Sequence, residues 1–513
     1  MAVDETSVTV RDLYCIETLP DPCGLVIFGA SGDLTSRKLI PSLFSLHQKG
    51  LIGEDFFVVG CGRTPLSDDE FRRSFVETLA KKAGNRQRAE QFLDRCFYVV
   101  GKYAEDDLYR ALGRKLEELE ARFRSGGNRL FYLSVPPALY TKIVEHLAGV
   151  GLLEETHGRK PWRRVVVEKP FGYDLVSSQQ MNVDMHRFID ERQIYRIDHY
   201  LGKDTVQNLF IFRFANAVFE PIWNRRYIDH VQITVAESIG VEHRAGYFEK
   251  AGLFRDMFQN HMLAMLALVA MEPPIRFEAQ PLRDETAKLL RSIKPWPTAE
   301  LDRWVVRGQY AAGQAGGQPV PGYLEEHGVD PASRTETFTA ARVMIDNWRW
   351  RGVPFYLRSG KRLAKKISQI AIEFKSVPHS VFEPLREEDL TPNVLVLNVQ
   401  PEEGMALTIQ AKRPGPKLCM SELTMSFKYR EAFGGEPPEA YERLLLDAMA
   451  GEQTLFVRFD ALEAAWGLIT PVLETWARES AAAGDLHRYT AGGWGPKAAD
   501  TLLARDGRQW REL

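Results

Sequence analysis

The chain has 513 residues, 44% of them hydrophobic and 26% charged, with a formal net charge of -3, which is the composition of an ordinary soluble globular protein. So even a balance excludes a broad electrostatic grip on nucleic acid or on an anionic membrane, while leaving room for local anion sites. The longest unbroken apolar run, Met262 to Met271, falls well short of the roughly 20 residues that cross a bilayer and reads as a buried helix.

The first residues, Met1 to Val10, carry two acids and no apolar run, so no export is expected. A polar arm over residues 1–20 precedes an alternation of strand-like and helix-like patterns. Leu25 to Phe28 reads as a buried strand, followed by a glycine turn and apolar residues at helical spacing from Leu39 to Leu46. Further strands are predicted at Phe56 to Gly60, Phe97 to Val100, Leu130 to Val135, Val165 to Val167 and Ile194 to Ile197, with a charged amphipathic helix over Asp106 to Phe123. Strands separated by helices predict a parallel sheet over residues 21–200. Beyond residue 200 the strand-like runs Val231 to Val235, Ile370 to Phe374, Val394 to Val399 and Ala406 to Ile409 lie closer together and predict a mainly antiparallel sheet over residues 201–513. The Gly-, Gln- and Pro-rich stretch from Tyr310 to Tyr323 reads as a flexible connection. At this length two domains are expected, with one extended domain the alternative.

Five cysteines, at 15, 23, 61, 96 and 419, form no C-x-x-C pair, which predicts a reducing, cytoplasmic setting. Cys15 and Cys23 read as unrelated thiols before they read as a redox pair.

Three segments carry chemistry. Gly29-x-x-Gly32 follows the first strand and opens a helix, where a backbone can approach a pyrophosphate, though such turns also arise for steric reasons alone. The second strand ends in Gly60-Cys61-Gly62-Arg63, with a guanidinium where NAD enzymes usually carry an acid; that favours NADP over NAD, because Arg can take a 2′-phosphate in a bidentate way. Ser31 is a further donor there, whereas Arg37 and Lys38 read first as a solvated helical turn. Glu168-Lys169-Pro170 ends an apolar strand, places a lysine where ligands of an open sheet collect, and invites a cis peptide. In Asp198-His199-Tyr200-Leu201-Gly202-Lys203 the histidine, tyrosine and lysine suit a phosphomonoester without a metal. His261 stands at the edge of the apolar helix; on pattern alone it reads first as a core histidine, although its ordinary pKa near 6.5 would suit a general base paired with a carboxylate.

Taken in order, G-A-S-G-D-L, E-K-P-F-G, R-I-D-H-Y-L-G-K and R-D-x-x-Q-N-H resemble the glucose-6-phosphate dehydrogenase family, and the likeness runs on through Asn347-Trp348 and Arg358 to Lys361 toward the C-terminus. The resemblance implies a Rossmann-like α/β dinucleotide-binding domain plus an α+β domain with a large, mainly antiparallel sheet that forms a dimer interface. It implies that His261 is the general base and Asp198 its paired carboxylate, which reverses the reading of His261 from pattern. It makes Lys169, His199, Tyr200, Lys203, Glu237, Asp256, Lys361 and Lys366 ligands of glucose 6-phosphate. The coenzyme site maps onto Gly29, Ser31, Gly32, Asp33, Leu34, Arg63 and Lys169, with Val135-Pro136-Pro137 near the nicotinamide. The implied reaction is hydride transfer from C1 to NADP+ giving 6-phosphogluconolactone, with no metal, in a homodimer or homotetramer. Some members hold a second, structural NADP, whose ligands the sequence does not place here. Cys61-Gly62 depart from the bulkier residues common in relatives. A sugar oxidoreductase of the glucose-fructose type also carries E-K-P but lacks R-I-D-H-Y-L-G-K, and a silent NADP-binding scaffold has no physical need for His261, Asp198, Lys169 and Lys203 together.

Overall fold

The computed structural model describes residues 19–155, 160–382, 385–386, 389–434, 438–478 and 486–513; Cys15 lies outside them. The first sheet holds six parallel strands, β1 (Gly24–Phe28), β2 (Phe57–Gly62), β3 (Cys96–Val100), β4 (Arg129–Leu133), β5 (Arg163–Val167) and β6 (Ile194–Arg196), in the order β3-β2-β1-β4-β5-β6. β1, β2 and β4 are buried along their whole length, as strands must be when helices cover both faces of a sheet. The covering helices carry the expected signals. Asp68–Ala83 starts in a capping box between Ser67 and Glu70, and Asp106–Phe123 buries Leu108, Leu112, Leu116 and Leu119 along one stripe. From β1 the chain winds outward to β3 and then back the other way to β6, which opens a crevice at the carboxyl ends of β1 and β4. Strand boundaries differ from the expected ones by a few residues: β2 extends to Gly62, and β4 stops at Leu133 instead of Val135.

The second sheet has nine strands, in the order β16-β15-β14-β13-β7-β12-β11-β8-β17. They are β7 (Ile228–Ala236), β8 (Val305–Ala311), β11 (Phe338–Met344), β12 (Pro354–Gly360), β13 (Ile367–Phe374), β14 (Val394–Gln400), β15 (Gly404–Lys412), β16 (Met420–Lys428) and β17 (Leu486–Thr490). The pairs β7/β12 and β8/β17 are parallel, and the remaining neighbours are antiparallel.

The stretch from Tyr310 to Tyr323 is not a loose connection. It contains the hairpin β9 (Gly313–Ala315) and β10 (Gln318–Val320), closed by Gly316 and Gly317 at φ +59° and +78°. Two successive positive φ values make the tight turn whose twist matches a hairpin, and glycine adopts them without steric cost.

A late helix, Ala440–Ala450, packs back onto the first sheet's layer. Its buried Glu442 accepts from Lys49 at 2.6 Å, and Arg164 donates to the carbonyls of Ala448 and Met449 at its far end at 2.8 and 2.6 Å. A cation at a helix C-terminus meets the negative end of its dipole.

Candidate active site

The glycine turn sits where the two halves of the first sheet diverge. Gly29 has φ +82°, and a Cβ there would lie 2.0 Å from the Ser134 carbonyl oxygen beyond β4. Only glycine lets the chain turn this tightly against its neighbour. Tyr103, which the sequence did not single out, braces the turn: its hydroxyl accepts from the Gly29 N–H at 3.0 Å and donates to the Cys61 carbonyl at 3.3 Å. A helix begins at Asp33 and Leu34, so its first N–H groups open toward the crevice. Ser31 is exposed beside Thr64, 3.4 Å away, and Arg63 is exposed where β2 ends. Asp33 and Arg37 form an exposed ion pair, and Lys38 pairs with Glu439.

At the end of β5, Glu168 is half-buried and accepts from the hydroxyls of Tyr132 at 2.5 Å and Tyr441 at 3.1 Å. Burial raises its pKa against those two bonds. The next peptide, Lys169–Pro170, is cis. After β6 the chain turns through Asp198, whose carboxylate accepts from the Tyr200 N–H at 2.9 Å. Lys203 stands at the N-terminus of the helix Asp204–Phe214, an end that favours anions. The Tyr200 ring lies 4.4 Å from that of His261, and its hydroxyl meets Gln400 at 3.2 Å and Ser368 at 3.5 Å, two residues paired across β13 and β14.

His261 lies on the segment Phe254–Met262, which leads into the apolar helix and is wound as a π-helix, not as an α-helix. In an α-helix residues five apart point about 140° away from each other. Bonding from i to i+5 stacks them instead, and so Asp256 and His261 come to one place, the Lys169 ammonium. Lys169 Nζ donates to the Asp256 backbone carbonyl at 2.9 Å, to Asp256 Oδ1 at 3.2 Å and to His261 Nε2 at 2.7 Å. On the other side of the ring, His261 Nδ1 lies 2.5 Å from Asp198 Oδ1. An ammonium can only donate, so Nε2 is an acceptor and the imidazole is neutral with its proton on Nδ1. Burial lowers the His261 pKa, and the Asp198 charge opposes that shift. For Asp198, burial acts upward, but the hydrogen bond from His261, and the ring's charge whenever it is protonated, hold the carboxyl at about 2. Burial, with the Lys169 charge and that of His261 whenever it is protonated, drives His199 well below its usual value.

Glu237 and Lys361 follow directly on β7 and β12, whose parallel register pairs Ala236 with Gly360. They therefore emerge side by side and form an ion pair of 2.6 Å. Asp256 is held well below the usual carboxylate range: burial pushes it up, but Lys169, Lys361 and Arg244 outweigh that. Tyr247 donates to its Oδ1 at 3.2 Å.

A cleft of about 1500 Å³ runs between the sheets and is lined by Asp33, Leu34, Lys169 and His199, which follow strands of the first sheet, by Lys203, and by Lys366 beside β13 of the second. The volume exceeds what a single small ligand needs. Asp198, His199 and His261 bring possible ligand atoms within 4.8 Å of one another, but the Lys169 ammonium beside His261 Nε2 sets a fixed positive charge against a metal cation. Arg244, Tyr247, Gln400 and Tyr441 also belong to this cleft. No local motif marks them in the sequence, because each comes from an element far along the chain.

Two family models divide the chain. One, described as "Glucose-6-phosphate dehydrogenase, NAD binding domain", matches residues 26–208, and the other, "Glucose-6-phosphate dehydrogenase, C-terminal domain", matches residues 210–511. The chain is 49% identical to the glucose-6-phosphate 1-dehydrogenase of Aggregatibacter actinomycetemcomitans over 95% of its own length and 97% of the relative's. With that of Bacillus subtilis strain 168 it shares 42% identity over 95% and 97%. A solved glucose-6-phosphate dehydrogenase in complex with its substrate glucose 6-phosphate superposes with a TM-score of 0.86 at 33% identity, covering 97% of this chain and 100% of the other. The glucose-6-phosphate 1-dehydrogenase of Mycobacterium avium superposes with a TM-score of 0.81 at 34% identity, covering 97% and 99%. Among the described residues no helix is long and apolar enough to cross a membrane.

Proposed function

Because the chain belongs to the glucose-6-phosphate dehydrogenase family, we propose that it oxidises glucose 6-phosphate at C1 to 6-phosphogluconolactone, with NADP+ as coenzyme and His261 as general base. The observation that carries this reading is the line of contacts from Asp198 through His261 to Lys169, 2.5 and 2.7 Å long. It presents one basic nitrogen, Nε2, toward a cationic group in the cleft and backs it with a buried carboxylate, as deprotonating an alcohol requires.

The residues around the glycine turn fit a nicotinamide dinucleotide. Gly29 brings the backbone in where no side chain fits, the helix from Asp33 opens its amides to the crevice, and Arg63 stands exposed where a 2′-phosphate needs a cation. When bound, the coenzyme supplies the hydride acceptor. His261 takes the C1 hydroxyl proton at Nε2, while Asp198 holds Nδ1–H and stabilises the imidazolium that results. Lys169 orients the sugar oxygen. Glu237, Asp256 and Lys361 hold the ring hydroxyls, and His199, Tyr200, Lys203 and Lys366 bind the phosphate. We further read residues 1–20 as an arm, 21–200 as the coenzyme domain and 201–513 as the substrate and oligomerisation domain of a cytoplasmic homodimer or homotetramer.

The test is the initial rate of reduced-nicotinamide formation with glucose 6-phosphate, comparing NADP+ and NAD+ side by side. A substrate-dependent rate selective for NADP+ is expected. Absence of any rate in folded protein refutes the activity, and equal use of NAD+ refutes the role given to Arg63.

A further inference from the structure

Behind the dyad lies a second, smaller cavity of about 60 Å³. Its walls are apolar, formed by Phe171, Leu263, Phe456 and Leu462 among others, yet Asp198, Gln259 and Arg283 also line it. Each of these three is at least 97% buried, and each has a side-chain atom without a hydrogen-bond partner: Asp198 Oδ2, Gln259 Nε2 and Arg283 Nε. Buried polar atoms in folded proteins are partnered, by protein or by ordered water. The Gln259 Nε2 amino group and the Arg283 Nε–H can only donate, and the ionised Asp198 Oδ2 can only accept. A water molecule needs roughly 10–15 Å³ of such space and two to four polar partners; the cavity has the room, and these three unpartnered atoms belong to residues of its wall.

We propose that Gln259 is a positioning residue of the active site, holding a buried water that donates a hydrogen bond to Asp198 Oδ2. The carboxylate behind His261 is then held through both oxygens, Oδ1 by the imidazole and the Tyr200 N–H, and Oδ2 by the water. A carboxylate that accepts an additional hydrogen bond attracts the Nδ1 proton less strongly, so the water keeps the base from becoming too basic and fixes the plane in which the ring is held. The kinetic consequence rests on His261 being the general base; the water itself does not.

The charged and titratable groups facing the dyad are Lys169 and His199 in direct contact with the His261 ring, Glu168 on β5's end, Asp256 on the same helix, and Arg283 and Arg458 on the cavity wall. Gln259→Met leaves all of them in place, keeps the side-chain length and removes the donor. In this variant the acid limb of the kcat/KM profile is expected to move up by about half to one pH unit, with kcat down about tenfold and KM for glucose 6-phosphate within twofold. Gln259→Glu, which sets a second carboxylate beside Asp198, should move the limb further in the same direction. An unmoved limb in folded Gln259→Met overturns the proposal. Should both variants fail to fold, a high-resolution crystal structure of the unaltered chain decides it. A water within hydrogen-bond distance of both Gln259 Nε2 and Asp198 Oδ2 supports the placement, and a dry cavity or a direct contact between the two side chains refutes it. If the unaltered protein shows no turnover, the general-base reading fails, while the crystal structure still judges Gln259.

Discussion

Asp198→Asn is the sharpest probe of the dyad, because it preserves shape and removes one charge. In the native protein burial draws the imidazole of His261 below its ordinary range and the Asp198 carboxylate opposes that pull across 2.5 Å. With asparagine the opposition disappears. The imidazolium formed as the substrate loses its proton then lacks a hydrogen bond to a charged partner, a loss of about 3 kcal/mol. At 1.36 kcal/mol per decade this is about a 10²-fold fall in kcat. The sign of the pH effect follows from the same balance: burial, now unopposed, lowers the pKa of His261 further, so the acid limb of kcat/KM moves to lower pH while the plateau drops. The assay is NADPH absorbance at saturating coenzyme from pH 5 to 9, with KM for glucose 6-phosphate fitted at each pH. A plateau within threefold of the parent, or an acid limb displaced upward, would refute the reasoning.

His261→Ala should lower kcat by about 10²-fold or more while leaving glucose 6-phosphate binding by calorimetry nearly intact; near-normal turnover sinks the general base. Arg63→Ala should raise KM for NADP+ by roughly 10- to 100-fold, the worth of hydrogen bonds to a charged phosphate, with NAD+ kinetics unchanged, and equal losses for both coenzymes speak against it. Gly29→Ala forces a Cβ to within 2.0 Å of a carbonyl oxygen at φ +82°. It should cost at least about 2 kcal/mol of stability and weaken coenzyme binding, and an unchanged denaturation midpoint contradicts that account.

The parallel sheet was legible because each of its strands is a short apolar run with a helix after it, and the polar turn at Arg196 to Lys203 stood out because packing does not explain it. The hairpin at Gly313 to Val320 was not, since its strands are small and polar; the signal lies in Gly316-Gly317, a pair that in a Gly-, Gln- and Pro-rich stretch looks like looseness but makes a turn of two left-handed residues. The proximity of Asp256 and His261 was hidden for another reason. Reading the segment with an α-helical period sets the two side chains on different faces, and only the π winding stacks them. Tyr103, Tyr247, Gln400 and Tyr441 escaped because single polar residues carry no periodic signal, and their role comes from what the fold sets opposite them.

The helix Ala440–Ala450 bears on the order of assembly. It seats Glu442 against Lys49 and closes Arg164 over its end carbonyls, so the first sheet's layer receives part of its cover from residues synthesised more than 200 positions after its last strand. During translation that layer emerges with the cover missing and apolar or cationic surface bare, and contacts so distant in sequence form slowly. A nascent chain halted near residue 210 should be more susceptible to protease and more chaperone-dependent than one released past residue 450, a difference that pulse proteolysis of stalled chains would measure.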